Sequence, residues 1–175
     1  MSDMANAIMD AAERHIRVGG FAAFSFRDLA SEVGVKSSSV HYYFPTKEKL
    51  GAAVISRYTA RVAEYVDELF ASEPDPVKVM TKAFGQPVHS SDRLCPCVTL
   101  GAAIFDLSPE VAAGVKGYYD MWLDKLEAKG LPRAKASAIM STLLGAQLLA
   151  AIFDDAKKYD DAAGEVLREH EAVAA

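Results

Sequence analysis

The sequence contains few of the residues on which catalytic, metal-binding and disulfide-stabilised proteins depend. It has two cysteines, four histidines and one tryptophan among 175 residues. Cys95 and Cys97 are too few and too close in sequence to build a disulfide framework. The histidines are scattered, no metal-binding pair occurs at helical spacing, and no glycine-rich phosphate loop is present. The sequence therefore predicts no metal, no cofactor and no enzyme activity.

Long hydrophobic runs are also missing. No stretch approaches the roughly 18 unbroken apolar residues that a membrane span requires. The first six residues, MSDMAN, have neither the basic start nor the apolar block of a signal peptide. We therefore expect a cytoplasmic protein that has no membrane partner.

Charge of one sign does not dominate the chain. A net charge of −5 argues against a protein that coats nucleic acid. Residues 1–61 nevertheless hold eight Lys or Arg against six Asp or Glu, whereas the remainder holds eleven against eighteen. A mildly basic first third suits a segment that contacts phosphate, although ordinary charge scatter gives the same balance.

Apolar residues recur at helical spacing along the whole chain, and the alternating runs typical of strands are absent. Between Gly85 and Pro96 a loop is predicted, because proline and serine interrupt the pattern. The fold class is therefore all-α, with eight or nine helices. The spacing predicts helices over residues 3–18, 25–34, 37–43, 46–71, 77–85, 98–106, 109–129, 133–157 and 160–172.

The first third has the local signals of a helix-turn-helix. Ser25 to Asp28 has the spacing of a capping box at a helix start, and Gly34-Val35 forms a tight turn before the next helix. In this motif one helix braces against the DNA backbone while the next lies in the major groove. The third helix carries polar and aromatic side chains that suit base and phosphate contacts, namely Lys36, Ser37, Ser38, Ser39, His41, Tyr42 and Tyr43.

The spacing of Val40 and Phe44 places both residues toward the core of this segment. The serines alone also fit a solvated helix cap, and the tyrosines also fit packing within a small domain. Only their joint register with Arg27, Gly34 and Lys47 favours DNA binding.

The positions from Ser25 to Leu50 resemble the signature of the tetracycline-repressor (TetR) family of regulators. The matching residues are Ser25-Phe26-Arg27-Asp28-Leu29-Ala30, Val33-Gly34-Val35, Ser39-Val40, Tyr42-Tyr43-Phe44-Pro45, Lys47 and Leu50. The resemblance implies a homodimer that binds a pseudo-palindromic, double-stranded DNA operator and a small-molecule effector. It also implies phosphate contacts by Arg27, Tyr43 and Lys47 and base contacts by Tyr42. Ser25 completes the predicted DNA-binding set.

Two positions depart from the family pattern. His41 stands where a tyrosine is usual, and Lys36 replaces the serine or threonine that caps the recognition helix. Ser37 is a candidate to take over the cap, which would shift the helix start by one residue. These departures leave the operator sequence open.

The resemblance divides the chain into a DNA-binding domain, residues 1–46, and an effector-binding and dimerisation domain, residues 47–175. Large apolar and aromatic residues lie on the central helices, where this family forms its ligand pocket. At helical spacing such residues also fit an ordinary core, and we expect about half of them to line a cavity. They are Met80, Phe84, Phe105, Tyr118, Tyr119, Met121 and Trp122.

The segment Cys95-Pro96-Cys97 precedes an alanine-rich helix and follows His89 closely. A thiol at a helix N-terminus beside a cation has a lowered pKa and reacts with oxidants or electrophiles. Some members of the family carry a reactive cysteine at a similar place. We therefore add Cys95 and Cys97 to the effector site as a predicted thiol switch, while small buried hydrophobic residues are the alternative. A metal site with His89 is disfavoured, because Cys-x-Cys lacks the usual zinc spacing.

The last two helices are predicted to pair about a two-fold axis into a four-helix bundle. Burial of the same face within one protomer is the alternative. The interface residues are Ser141, Leu144, Gly145, Leu148, Leu149 and Ile152 on the first of these helices, and Val166 and Leu167 on the second.

The sequence thus predicts a ligand- or thiol-responsive transcriptional regulator, with repression favoured because the family mostly represses. Two alternatives remain open. One is a helical protein-interaction module of the same fold that does not bind DNA, which the departures at Lys36 and His41 would allow. The other is a small Cys/His hydrolase built on Cys97 and His89.

Overall fold

The computed structural model describes residues 2–90 and 94–174. Within them the chain forms nine α-helices and no strand, so the predicted all-α class is confirmed. Short 3₁₀ helices span Phe21–Ala23 and Ile104–Asp106. The α-helices are α1 (Asp3–Gly19), α2 (Phe26–Val33), α3 (Ser37–Tyr43), α4 (Lys47–Ser72), α5 (Pro76–His89), α6 (Pro96–Ala102), α7 (Pro109–Ala128), α8 (Arg133–Phe153) and α9 (Lys157–Ala174).

The predicted loop from Gly85 to Pro96 is wrong at its start. Helix α5 continues to His89 and contains Pro87. Phe84 and Pro87 are both buried, so packing outweighs the backbone hydrogen bond that proline cannot make. Residues 91–93 of that predicted loop lie outside the described part of the chain.

Three other predicted helix ends also differ. Helix α6 ends at Ala102 instead of residue 106, and a 3₁₀ helix follows. Helix α8 ends at Phe153 instead of residue 157, because Asp154 adopts the left-handed conformation (φ 49°, ψ 42°). Helix α9 begins at Lys157, where the Asp155 carboxylate accepts the backbone N–H of Lys157 at 3.0 Å.

The chain divides into two compact units. Unit 1 comprises Met1–Ala60 and Cys95–Tyr118. In it α1 contacts α2, α3 and α6, and α2 contacts α3. Its core is apolar and includes Ile8, Ile16, Leu29, Val40, Leu50, Ile55 and Leu100, each fully buried.

Unit 2 comprises Arg61–Leu94 and Tyr119–Ala175. Here α5, α8 and α9 contact one another around a core that includes Met80, Trp122 and Leu143. The Tyr159 hydroxyl donates to the Thr81 carbonyl oxygen at 2.6 Å, which ties α9 to α5. The sequence predicts a boundary between two functions at residues 46 and 47, whereas the two units are defined by packing. The predicted boundary therefore stays a prediction.

Helix α8 is the one helix of residues 2–90 and 94–174 with the length and apolar composition to cross a membrane. Of its most apolar window, 39% is buried against the rest of the chain. The buried side includes the polar Gln147 and contacts α5 and α9. These are the features of a core helix, which also keeps an exposed apolar face.

Candidate functional site

Helix α2 begins with the predicted capping box. The Asp28 N–H donates to Ser25 Oγ at 3.2 Å, and the Ser25 N–H donates to the Asp28 carboxylate at 2.8 Å. The Ser25 hydroxyl also donates to Asp28 Oδ2 at 2.6 Å. These hydrogen bonds hold the pKa of Asp28 below its usual value. The Ser25 side chain therefore fixes the start of α2, and its predicted contact with DNA stays a prediction.

The turn between α2 and α3 depends on Gly34. Its φ of 77° and ψ of 33° lie in the left-handed region, which favours glycine, and its N–H donates to the Ala30 carbonyl oxygen. Helix α3 starts at Ser37, as predicted, with Lys36 as the N-cap residue. The expectation that Ser37 replaces the missing cap is wrong, because the N-cap residue is extended Lys36 and no side chain bonds to the helix start.

Helix α3 has the two faces that the sequence predicts. Val40 is fully buried and Phe44 is 7% exposed, whereas Ser38 and His41 are exposed and Tyr42 is 82% exposed. Ser37, Ser39 and Tyr43 are half-buried and Lys36 is exposed. The polar and aromatic residues predicted to read DNA are thus presented at the surface of unit 1.

Two contacts between aromatic rings position side chains on the exposed face of α3. The Tyr42 and Tyr43 rings meet edge to face with centroids 5.2 Å apart, and the His41 ring meets Phe26 at 4.6 Å. A groove of about 370 Å³ lies beside them, lined by Met4, Val35, Ser38, Ser39, Tyr42 and Tyr43. The ring of Tyr42 therefore contacts Tyr43 and remains accessible.

The two predicted phosphate-binding cations differ in their surroundings. Arg27 is exposed on α2. Lys47 is half-buried: its Nζ donates to the Phe24 carbonyl oxygen at 2.5 Å and lies 4.3 Å and 5.0 Å from the ring centroids of Phe24 and Phe21. Burial lowers the pKa of Lys47. Lys47 thus fastens the start of α4 to the segment before α2, a structural role that the sequence does not reveal.

Ion pairs join α1 to α2, the first helix of the helix-turn-helix. Arg14 and His15 both contact the Glu32 carboxylate, at 2.7 Å and 2.9 Å. Hydrogen bonds from Arg14 and then His15 lower the pKa of Glu32. The sequence does not reveal this bridge, because partners on different helices leave no periodic signal.

Helix α1 also contains a buried ion pair that is not among the sequence predictions. Arg17 Nη2 lies 2.9 Å from Glu13 Oε1, and each of these side chains is 9% exposed. Arg57 of α4 contacts Glu13 at 3.6 Å and Asp10 at 2.6 Å. The i,i+4 spacing of Glu13 and Arg17 is the signal that would have identified the pair.

Cys95 and Cys97 are buried in unit 1 together with two tyrosines. Cys95 Sγ lies 3.7 Å from the Tyr118 hydroxyl oxygen, and the Tyr58 and Tyr118 ring centroids are 5.6 Å apart. The Arg17 guanidinium lies 5.3 Å from the Tyr58 ring centroid. Residues from α1, α4, α6 and α7 therefore converge on the thiols.

The pKa values of Cys95 and Cys97 are shifted from the ordinary value of a thiol in opposite directions. Burial alone raises the pKa of Cys95, but hydrogen bonds with Cys97, Tyr58 and Tyr118 and from the Val98 N–H together lower it to about 6. Burial, and then the hydrogen bond with Cys95, raises the pKa of Cys97 well above its usual value. Cys95 is therefore the more acidic thiol of the pair.

The residues predicted to bind an effector form two groups. Cys95, Cys97 and Tyr118 lie together in unit 1. In unit 2, Met80, Phe84 and Trp122 are buried, with the Phe84 and Trp122 ring centroids 4.9 Å apart. The half-buried Tyr119 and Met121 also belong to unit 2.

Phe105 does not fit either group. It is fully exposed. Its predicted place in a pocket is wrong, because α6 ends at Ala102 and the following 3₁₀ helix turns the Phe105 ring outward.

The predicted dimer face of α8 is exposed. Leu148, Leu149 and Ile152 are 40%, 48% and 72% exposed, and Ser141 and Gly145 are exposed beside them. Phe153, which is not among the residues predicted for this face, adds a ring that is 60% exposed. Leu144 and Leu167 are half-buried. Val166 is only 8% exposed, so it packs mainly within its own protomer, and its predicted place in the interface stays a prediction.

The alternative hydrolase site has little support. A ring nitrogen of His89 lies 2.9 Å from Asp160 Oδ1 in unit 2, while Cys97 is fully buried with a raised pKa. No group of three or more His, Cys, Asp or Glu with metal-binding geometry occurs in the described ranges.

Comparison with known proteins identifies the N-terminal segment. Residues 8–54 match the family model of bacterial regulatory proteins of the tetR family. This range contains α2, α3 and the start of α4, and therefore every residue of the predicted DNA-binding set. No curated protein sequence matches the chain significantly.

Solved structures resemble the chain over nearly its whole length. A TetR-family transcriptional regulator from Agrobacterium tumefaciens is 25% identical, with a TM-score of 0.84, and covers 95% of this chain and 96% of its own. A TetR transcriptional regulator from Legionella pneumophila is 25% identical, with a TM-score of 0.86 and coverage of 97% and 98%. Escherichia coli NemR in its reduced form is 21% identical, with a TM-score of 0.81 and coverage of 94% and 95%, a likeness of fold.

Proposed function

Because this chain belongs to the TetR family of bacterial regulatory proteins, we propose that it represses transcription by binding a pseudo-palindromic operator as a homodimer. An effector or a thiol modification then releases it from DNA. The observation that carries DNA binding is the outward face of α3 within the family-matched segment, where Tyr42 is 82% exposed. Base edges in a major groove are within reach of such a face.

Dimerisation through α8 is the second part of the proposal. The exposed apolar side chains of Leu148, Leu149, Ile152 and Phe153 form one face of this helix. A second copy of the chain buries this face in an isologous contact, in which each residue is used twice. The two DNA-binding segments of the dimer, one head from each protomer, then reach half-sites one helical turn apart.

Release from DNA follows from a change in α4. This helix runs without a break from Lys47, beside the recognition motif, to Ser72 in unit 2. A tilt of α4 changes the spacing of the two heads and lowers operator affinity. Such coupling requires that the effector bind one state more tightly than the other.

Gel-shift titration with the intergenic DNA upstream of the gene tests DNA binding. Because each phosphate contact releases counterions, we expect affinity to fall steeply between about 50 and about 200 mM salt. Arg27→Gln is expected to reduce the slope of log affinity against log salt concentration by about one. Lys82→Gln, which removes an exposed cation from unit 2, is the matched control and leaves the slope unchanged.

Two results would contradict regulation by DNA binding. One is the absence of a shift at low salt, which favours the protein-interaction module. The other is an Arg27→Gln slope equal to that of the parent, which removes α2 from the DNA interface.

The thiol group of unit 1 supports Cys95 as the site of modification. Cys95 is the more acidic thiol of the pair, and its hydroxyl partners lie on α4 and α7, so a group attached to Sγ displaces them. Through Tyr58 this displacement acts on α4 directly. The proposed switch therefore joins the thiol to the same helix that positions the head.

Iodoacetamide tests this switch, because the thiolate displaces iodide and a sulfur–carbon bond forms. We expect alkylation at pH 7 to label Cys95 before Cys97 in a peptide mass analysis and to release the operator. Cys95→Ser is expected to keep the operator after the same treatment, whereas Cys97→Ser still releases it. Release of the Cys95→Ser protein at the parental rate would exclude the switch.

A further inference from the structure

Unit 2 contains a cavity that the proposed function does not use. It has a volume of about 380 Å³ and lies where α5 and α8 end and α9 begins. Its polar lining consists of Ser90, Gln147, Asp154 and Asp155, and the remaining lining is Val88 and three alanines. A cavity of this size accommodates a small organic molecule.

The electrostatics of the cavity favour a cation. The last carbonyl groups of α5 and α8 carry the partial negative charge of helix C-termini. The N-terminus of α9 carries the opposite partial charge, and the Asp155 carboxylate caps it by accepting the Lys157 N–H at 3.0 Å. Asp154 and Asp155 add two carboxylates directly after α8. The nearest lysines along the chain have their closest contacts elsewhere. Lys157 Nζ contacts Asp161 at 2.5 Å and interacts more weakly with Asp155, and Lys158 Nζ lies 5.4 Å from the Phe153 ring centroid.

Gln147 adds a requirement for hydrogen-bond donors. Its side chain is 1% exposed, and its Nε2 donates to the Phe84 carbonyl oxygen at 2.6 Å. Its Oε1 accepts no hydrogen bond from the described part of the chain. A buried acceptor without a donor is costly, and a bound N–H group removes that cost.

We propose that this cavity binds a small organic cation that carries N–H donors, a primary ammonium, and that such a cation is an effector of the regulator. The carboxylates and helix ends select the charge, and Gln147 selects N–H donors over a quaternary ammonium. The effector role rests on the proposed function, whereas the binding site does not.

The geometry of α8 connects the cavity with the dimer face. Successive residues of a helix turn by about 100°, so Gln147, Ala151 and Asp154 share one side of α8. Gly145, Leu149 and Ile152 fall on the opposite side. A second copy that covers the dimer face therefore leaves the cavity side of α8 open, and a ligand there acts on the helix that the dimer shares.

Isothermal titration calorimetry with butylammonium chloride tests the site in the absence of DNA. We expect a Kd on the order of 1 mM for the parent protein. Tetramethylammonium chloride at the same ionic strength is expected to bind at least about tenfold more weakly, because it has no N–H donor. Equal binding of the two cations, or no binding of butylammonium, would overturn the proposal.

Asp154→Asn is the informative variant, since asparagine tolerates the left-handed conformation of residue 154. Because Asp154 is exposed and solvent screens its charge, the variant is expected to weaken butylammonium binding by about threefold. Asp106→Asn removes the same charge from an exposed position in unit 1 and is the matched control, with unchanged binding. An unchanged Kd in Asp154→Asn excludes the site.

Gel shifts with butylammonium then separate the site from its role. Release of the operator by butylammonium but not by tetramethylammonium supports an effector. Retention of the operator by protein saturated with butylammonium shows that the effector role is wrong while the site stands. A protein that never binds the operator contradicts the proposed function, and the calorimetry still decides the site.

Discussion

Replacing Arg17 by leucine is expected to lower the free energy of unfolding by about 3–5 kcal/mol. The Arg17 guanidinium contacts Glu13 at 2.9 Å, and both side chains are 9% exposed. Without Arg17 the Glu13 carboxylate stays buried and keeps Arg57, at 3.6 Å, as the nearest cation. A buried charge that loses its closest partner costs far more than the loss of an exposed pair. Urea denaturation followed by circular dichroism measures the change.

The matched control is Arg14→Leu, a substitution on the same helix as Arg17 that breaks the pair between Arg14 and Glu32 of α2. The Arg14 side chain is 61% exposed, so solvent screens the interaction and the expected loss is under about 1 kcal/mol. The double variant Glu13→Leu/Arg17→Leu removes both charges and is expected to recover most of the stability that Arg17→Leu loses. Equal losses in Arg17→Leu and Arg14→Leu would show that burial does not govern this pair.

Much of the DNA-reading motif could be predicted from the sequence because its signals are local. The capping box at Ser25, the turn at Gly34 and the inward positions Val40 and Phe44 all follow from spacing within a few residues. The cap of α3 could not be assigned so simply. Lys36 occupies the N-cap without a side-chain hydrogen bond, a choice that local propensity does not favour.

The effector region could be predicted only in outline. Helical spacing identifies large apolar residues but does not reveal which element ends early. It therefore predicts a pocket position for Phe105, which is fully exposed. The convergence of Tyr58 and Tyr118 on Cys95 joins residues that are distant in the sequence. Such contacts arise from tertiary packing, which periodicity within one helix does not encode.

Replacing Ile152 by lysine is expected to convert the proposed dimer into a monomer and to weaken operator binding by about 10²-fold or more. Ile152 is 72% exposed within the protomer, beside Leu149 and Phe153. In an isologous contact the substitution places two lysines in the apolar interface at once, and both must lose their hydration. A monomer also loses the gain in affinity that comes from linking two heads. Sedimentation and gel-shift titration measure the two effects.

Phe105→Lys is the matched control, because it also exchanges an exposed apolar side chain for lysine, in unit 1. It is expected to leave both the molecular mass and the operator affinity unchanged. Ile152→Lys is expected to unfold at a temperature close to that of the parent at high dilution, since residue 152 contributes little to the core of its own protomer. A dimer that persists in Ile152→Lys with parental operator affinity would place the two-fold contact elsewhere and leave the apolar face of α8 without the role assigned to it.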